Sequence, residues 1–141
     1  MSMRDNCIAW IVDSPISPDE VVEQAKTTSS GCVVTYVGLI REESRGKDVK
    51  SVEYTDVDGK SQDRLTEIAA DIIRKHPVNS VVIFHRVGVL NVGDINLVVA
   101  IGAAHRSEGF AANQYAIDQF KEKLPTGKIE TYVDGSTWTG D

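Results

Sequence analysis

Two groups of cationic side chains stand where an anion could bind. His105 and Arg106 follow an apolar segment and directly precede Ser107, a candidate helix cap. The first turn of a helix has free backbone N–H groups and a partial positive charge. A histidine and an arginine beside that turn favour a phosphate site. A plain helix cap with two surface side chains would give the same pattern, so both interpretations stay open.

The second group is rich in lysine and contains Lys121, Lys123 and Lys128. Basic residues near a helix end also interact well with the helix dipole, so a structural role is an alternative for them. Lys121 lies four residues after Ile117 and therefore continues a partly apolar helix face. An amine desolvated by such a face becomes a usable acid or base. Lys121 is therefore the candidate for proton transfer.

Two further apolar segments end in basic side chains. Arg41 closes residues 32–40 and opens a charged loop. An arginine there can hold a phosphate or a carboxylate through two parallel hydrogen bonds, although a solvated loop charge is the alternative. His85 and Arg86 end the next such segment, and we expect His85 to be structural, with a backbone partner.

The apolar spacing predicts the elements that position these groups. Ser17-Pro18-Asp19-Glu20 predicts a helix start, with serine as cap and proline at the first helical position. A second helix is predicted over Ser61–Lys75, where apolar residues recur at helical spacing, and a third from Ser107 to residue 124. Strands are predicted over Cys7–Val12 and residues 32–40, 51–55, 81–86, 95–103 and 128–133. Residues 41–48 are predicted as a charged loop, and the end of the chain as a polar tail that holds Trp138.

The order of these elements sets the fold class. Several strands follow one another without a helix between them, which favours a mixed or mostly antiparallel sheet. We therefore predict an α+β fold with about three helices, as a single domain over residues 1–141. A content of 41% hydrophobic and 26% charged residues is ordinary for a globular protein of this kind.

Composition also excludes several classes of function. A net charge of −6 argues against nucleic acid as a partner, and no apolar run approaches the roughly 20 residues that span a bilayer. No secretory signal is evident, and Cys7 and Cys32 form neither a CxxC pair nor a zinc set, so we expect buried thiols in a reducing cytoplasm. Phosphate-loop, dinucleotide-binding, zinc-protease and serine-hydrolase motifs are absent. Reasoning from the residues alone ends at a basic pocket for an anionic small molecule.

A set of motifs resembles the large, catalytic subunit of molybdopterin synthase. The resemblance is clearest over residues 32–138. The matching motifs are His85-Arg86-Val87-Gly88, Leu90, Gly93-Asp94, Ala104-His105-Arg106-Ser107, Phe110, Asp118, Lys121, Pro125 and Lys128, and upstream Tyr36-Val37-Gly38, Arg41 and Glu53-Tyr54.

This resemblance implies a fold, a reaction and a partner. The fold would be an α/β hammerhead. The partner would be a small ubiquitin-like subunit whose C-terminal Gly-Gly carries a thiocarboxylate. Its sulfur would be transferred twice to cyclic pyranopterin monophosphate, forming the dithiolene of molybdopterin, with neither a metal nor a cofactor. The implied catalytic residues are Lys121 and Lys128, and the implied substrate-binding residues are Arg41, His105, Arg106, Tyr36 and Ile117.

The chain also departs from the family pattern. Thr126-Gly127 precede Lys128 where an aromatic residue is common, and Tyr36 replaces a common phenylalanine. A non-catalytic module that binds the ubiquitin-like partner, or one that senses an anion, therefore remains an alternative.

The predicted third helix separates two parts of the implied site. Arg106 and Lys121 are about 22 Å apart along a regular helix, too far for one small substrate. We therefore expect a homodimer with shared sites, and a heterotetramer once each half binds a small subunit.

Overall fold

The computed structural model describes residues 6–140 of the chain. Within these residues the chain forms three helices, α1 (Pro18–Ala25), α2 (Ser61–Lys75) and α3 (Arg106–Glu122). The nine strands are β1 (Cys7–Val12), β2 (Cys32–Leu39), β3 (Glu43–Ser44), β4 (Lys47–Thr55), β5 (Ser80–Arg86), β6 (Gly88–Asn91), β7 (Ile95–Ala103), β8 (Gly127–Tyr132) and β9 (Thr137–Thr139). The predicted α+β class with three helices is confirmed.

The first sheet has four strands in the order β1-β5-β7-β2. β1 runs parallel to β5, whereas the other pairs are antiparallel, which confirms the expected mixed sheet. α2 and α3 pack on one face around Leu65, Ile72 and Ile101. α1 covers the other face, where Val21 packs with Val82. A strand covered on both faces must be apolar throughout, which explains the composition of β5 and β7.

The second sheet is built from short strands in the order β3-β4-β8-β9, and β6 also pairs with β4. Its core contains Val52, Leu90 and Tyr132. The prediction of a loop over residues 41–48 is partly wrong, because β3 and the start of β4 lie there. β6 and β9 were not predicted either. These strands are short and partly exposed, so they have no clear apolar pattern. They form because they pair with strands that other parts of the sequence provide.

Of the two helix caps predicted from the sequence, at Ser17 and Ser107, one is correct. Ser17 caps α1 as predicted, and its side chain accepts a hydrogen bond from the backbone N of Glu20. The apolar stripe of α2 is buried. The predicted cap of α3 is wrong: His105 occupies the cap position, whereas Ser107 lies inside the helix and bonds to Glu108. The helix also ends at Glu122 rather than at residue 124.

Helix α3 lies unusually close to β2. A Cβ atom at Gly109 would stand 2.8 Å from Cγ2 of Val34, so this position requires a glycine. Small residues continue along the same face at Ala112 and Ala116, which are fully buried. The close packing fixes the two ends of α3 relative to the sheet. None of the three helices within residues 6–140 is long and apolar enough to cross a membrane.

Candidate active site

A cleft lies where the end of α3 meets both sheets. It consists of two contiguous cavities of about 260 and 120 Å³. Both cavities are lined by Tyr36, Tyr54, Asn96, Lys121 and Lys128. We call it the lysine cleft. Five elements contribute these side chains, so the cleft forms only when both sheets are in place.

Three cations face one carboxylate in the lysine cleft. Arg41 follows the end of β2, Lys121 lies in the last turn of α3, and Lys128 lies on β8. The carboxylate is Glu130. The cleft therefore favours an anion although the whole chain has a net charge of −6. Lys121 is exposed, so a single chain does not provide the desolvation that its apolar helix face suggested.

Glu130 holds Lys128 in place from within the second sheet. The residue is only 5% exposed, and its carboxylate lies 3.4 Å from Nζ of Lys128. Tyr132 donates a hydrogen bond to it at 2.6 Å. Burial opposes the charge of Glu130, but hydrogen bonds from Tyr132 and Ser44, together with Lys128, keep its pKa below the ordinary value. A permanent negative charge thus stands beside Lys128.

The floor of the cleft carries a polar pair. The register between β2 and β7 shifts at Gly38, which leaves Asn96 without a partner, as at a β-bulge. The side-chain amide of Asn96 donates to the hydroxyl of Tyr54 at 3.1 Å. Burial raises the pKa of Tyr54, so its hydroxyl stays protonated at neutral pH. Because the oxygen of Tyr54 already accepts from Asn96, its own proton is free for another partner.

His85 lies beneath this floor and is fully buried. Its Nδ1 bonds to the backbone oxygen of Asn96 at 2.8 Å, which confirms the predicted backbone partner. Burial lowers the pKa of His85 to about 4, so the ring is neutral at physiological pH.

A second cleft lies at the other end of α3. Gly31, Cys32, Ala104, His105, Arg106 and Ser107 line an open cavity of about 450 Å³. We call it the helix-start cleft. His105 and Arg106 are both exposed, and the side chain of His105 makes no cap hydrogen bond to the helix. The cleft therefore combines free helix N–H groups with two side chains that no buried group supports.

The predicted site residues are thus divided between the clefts. Tyr36, Arg41, Lys121 and Lys128 come together in the lysine cleft, whereas His105 and Arg106 do not join them. Ile117 is half-buried on α3 and lines neither cleft, so its role as a pocket wall stays a prediction.

The sequence assigned no site role to Tyr54, Asn96 and Glu130, which all line the cleft. Asn96 had a usable signal, because it is a polar residue within an otherwise apolar strand. Within residues 6–140 no group of His, Cys, Asp or Glu side chains is arranged to hold a metal ion. Cys7 and Cys32 are free and partly buried.

Comparison with known proteins decides the family. A protein-family profile described as MoaE protein matches residues 11–123. The chain belongs to the MoaE family. The molybdopterin synthase catalytic subunit of Nostoc sp. is 45% identical over 91% of this chain and 79% of the relative. The human protein of that name is 35% identical, over 89% of this chain and 67% of the relative.

Solved structures agree with this assignment. The crystal structure of molybdopterin synthase from Staphylococcus aureus has a TM-score of 0.84 at 34% identity, over 93% of this chain and 96% of that one. A complex of subunits 1 and 2 of molybdopterin-converting factor from Helicobacter pylori contains a chain with the same fold, with a TM-score of 0.72 at 14% identity, over 94% of this chain and 90% of that one. Membership in the MoaE family makes the chain an enzyme of molybdenum cofactor biosynthesis, of the molybdopterin synthase catalytic type.

Proposed function

We propose that the chain transfers sulfur from the C-terminal thiocarboxylate of a small ubiquitin-like partner to cyclic pyranopterin monophosphate. Each transfer breaks a carbon–sulfur bond of the partner and a carbon–oxygen bond of the pterin, and forms a carbon–sulfur bond on the pterin. Water restores the partner's carboxylate, and the displaced pterin oxygen leaves as hydroxide or stays on the phosphate. Two transfers give the dithiolene of molybdopterin. The observation that carries the proposal is the convergence of Arg41, Lys121 and Lys128 on one cleft with a polar floor.

The residue types suit two anionic reactants. Both the pterin phosphate and the thiocarboxylate are negative, so fixed cations hold them side by side and stabilise charge as it develops. We assign Lys121 to proton transfer or to positioning of the thiocarboxylate, because it stands exposed at the rim where a partner's tail can reach it. Lys128, paired with Glu130, is assigned to the bound substrate. Tyr36 forms part of the wall.

The division of the site between two clefts supports the expected homodimer. Arg106 and Lys121 lie about 22 Å apart along α3, at 1.5 Å per residue. An isologous interface would bring the helix-start cleft of one copy beside the lysine cleft of the other. Apolar side chains suited to such an interface are exposed on α3 and on the edge strand β2, where Phe110 is 60% and Leu39 56% exposed. One small subunit on each half would give a heterotetramer.

Product formation tests the reaction directly. The purified chain is mixed with the cyclic pterin phosphate and a thiocarboxylated partner, and molybdopterin is quantified. The matched control is the same partner with an ordinary C-terminal carboxylate, which should give no product. Tight binding of partner or phosphate without product would instead identify a non-catalytic binding or sensing module.

Mixed dimers test the shared site. Lys121→Ala and Arg106→Ala proteins are each expected to be weak. After subunit exchange, half the dimers are mixed and each has one intact site, so about a quarter of wild-type activity should return. A monomer at micromolar concentration in sedimentation, or no recovery despite proven exchange, would refute the arrangement.

A further inference from the structure

The buried ring of His85 uses both of its nitrogens. The backbone oxygen of Asn96 can only accept, so Nδ1 of His85 must carry the proton of that 2.8 Å hydrogen bond. In a neutral ring Nε2 is then an acceptor, and it lies 3.0 Å from the hydroxyl of Thr126. Thr126 therefore donates to His85. A ring whose pKa is lowered by burial keeps this donor–acceptor order at neutral pH.

The two hydrogen-bond partners and the two aromatic neighbours of the ring belong to the lysine cleft or to the segment beside it. Tyr54 and Phe120 meet the ring edge-on, each with centroids 4.8 Å away. Tyr54, Asn96 and Phe120 line the cleft. Phe120 directly precedes Lys121, and Thr126 lies two residues before Lys128. The histidine thus contacts the cleft from behind, at the points that carry the two lysines.

Three consecutive residues between the two lysines, Pro125 to Gly127, are fixed by contacts with other elements. The backbone oxygen of Pro125 accepts hydrogen bonds from Ser61 at 2.8 Å and from Arg64 at 3.0 Å. The next residue, Thr126, is only 7% exposed and is bound to His85. Gly127 then passes so close to Thr55 that a Cβ atom there would lie 2.8 Å from its hydroxyl. The bond to His85 comes at the last side chain before Lys128.

We propose that His85 is a positioning residue that acts through the hydroxyl of Thr126 to fix Lys128 relative to Lys121. This inference rests on the proposed function of the lysine cleft and adds a specific role to a residue outside it. A ring that only filled space would be replaced at lower desolvation cost by an apolar side chain. Here both ring nitrogens of His85 form hydrogen bonds, one to a residue that lines the cleft and one to the segment before Lys128. Such bonds to neighbouring groups are how a protein holds reactive residues in position.

The test removes one hydroxyl. Thr126→Val keeps the branched shape and deletes the donor, while Thr126→Ser keeps the donor and serves as the matched control. Thr126→Val should lower kcat/KM for sulfur transfer about tenfold, and Thr126→Ser should stay within about threefold of wild type. Thermal unfolding of both variants is recorded to confirm that they fold.

A double-mutant cycle separates positioning from general stability. The tenfold loss caused by Thr126→Val should disappear in a Lys128→Ala background, because the residue being positioned is gone. It should persist in an Arg106→Ala background, where Lys128 is intact. The same loss in both backgrounds would overturn the proposal, since the effect would not pass through Lys128.

A second measurement needs no activity. Lysines are reductively methylated with ¹³C, and the signal of Lys128 is assigned with Lys128→Arg. In the isolated protein this signal should shift and sharpen in Thr126→Val but not in Thr126→Ser, whereas Lys121 stays unchanged. An unchanged Lys128 signal would refute the positioning role. If the wild type transfers no sulfur, the proposed function fails, and this signal still decides the role of His85.

Discussion

The two clefts at the ends of α3 are built in different ways. In the lysine cleft, polar groups that are buried or half-buried contact the functional side chains, with Glu130 beside Lys128 and Asn96 beside Tyr54. In the helix-start cleft, His105 and Arg106 are exposed and make no hydrogen bond or ion pair through their side chains within residues 6–140. The lysine cleft at the end of α3 is therefore preorganised by contacts within the chain. The helix-start cleft has exposed charges that need a partner from another surface.

This difference bears on where catalysis and binding reside. Reactive groups need a rigid support, because a displacement of about 1 Å reduces the rate strongly. Groups that only bind a phosphate tolerate more freedom, since charge–charge attraction has little angular dependence. We therefore expect substitutions of the two lysines in the lysine cleft to affect the rate, and substitutions of the exposed arginines Arg41 and Arg106 to affect affinity.

The largest effect is expected from Lys121→Ala. Loss of an acid or base, or of a positioned cation, should lower sulfur transfer by about a hundredfold or more. Unfolding free energy should change by no more than about 0.5 kcal/mol, because the side chain is exposed. Lys123→Ala is the matched control, since Lys123 is also exposed but lies outside the lysine cleft, and its activity should stay near wild type. Equal activity of the two variants would remove Lys121 from the mechanism.

The buried support of the lysine cleft should give the protein a pH-dependent stability. The pKa of His85 is about 4 in the folded chain against an ordinary value of 6.5. The unfolded chain therefore binds a proton more readily, so the contribution of His85 is complete above pH 6.5 and is lost as the pH falls towards 4. The total loss is roughly 3 kcal/mol.

Denaturant unfolding between pH 6.5 and 4.5 measures this contribution. The carboxylates whose pKa values are lowered, such as those of Asp58 and Asp134, titrate mainly below this window. His85→Gln should remove most of the decrease in unfolding free energy between pH 6.5 and 4.5. A variant that keeps the full slope would show that another group causes it.

Substitution of one arginine in each cleft should weaken binding of the cyclic pterin phosphate, with a smaller effect than that of Lys121→Ala on the rate. Arg41→Ala and Arg106→Ala should each raise the Kd for the cyclic pterin phosphate about tenfold, the size of one charge-assisted hydrogen bond. Melting temperature should not move, because both side chains are exposed. Arg74→Ala, on the exposed face of α2, is the control. Wild-type affinity in both cleft variants, measured by calorimetry, would contradict the phosphate assignment.

The smallest effect is expected at Ser107. Its side chain lies in the first turn of α3 and, among residues 6–140, bonds only to the neighbouring Glu108, so Ser107→Ala should change the unfolding free energy by less than about 0.5 kcal/mol. Ser17→Ala should cost about 1 kcal/mol, because Ser17 does cap α1. Chemical denaturation of both variants compares them, and a larger loss at Ser107 would mean that the helix-start cleft is more organised than its exposure indicates.

Local signals predicted much of this molecule. The cap at Ser17 and the apolar spacing of α2 located two helices, because these features depend on neighbouring residues. The cations at the ends of strands and helices were found in the same way. The resemblance to the family indicated which of these cations act together. Their spacing in the sequence did not give this information.

The remaining features depend on distant segments. β3 exists because Glu43 and Ser44 pair with the start of β4, and β9 because residues 137–139 pair with β8. Nothing in the sequence near Lys128 indicates that Glu130 is buried beside it or that Thr126 reaches His85, 41 residues earlier. The site separates into two clefts because they lie at opposite ends of α3, which spans Arg106–Glu122.

The order of strands in the second sheet also determines when the site appears during synthesis. The first sheet is complete once β7 has left the ribosome, whereas β8, the partner that covers one edge of β4, ends at Tyr132. Until then β4 presents an unpaired edge, and such edges recruit other chains. The lysine cleft therefore assembles after the first sheet, so a chain released before β8 would hold the strands of the first sheet without Lys128 and Glu130.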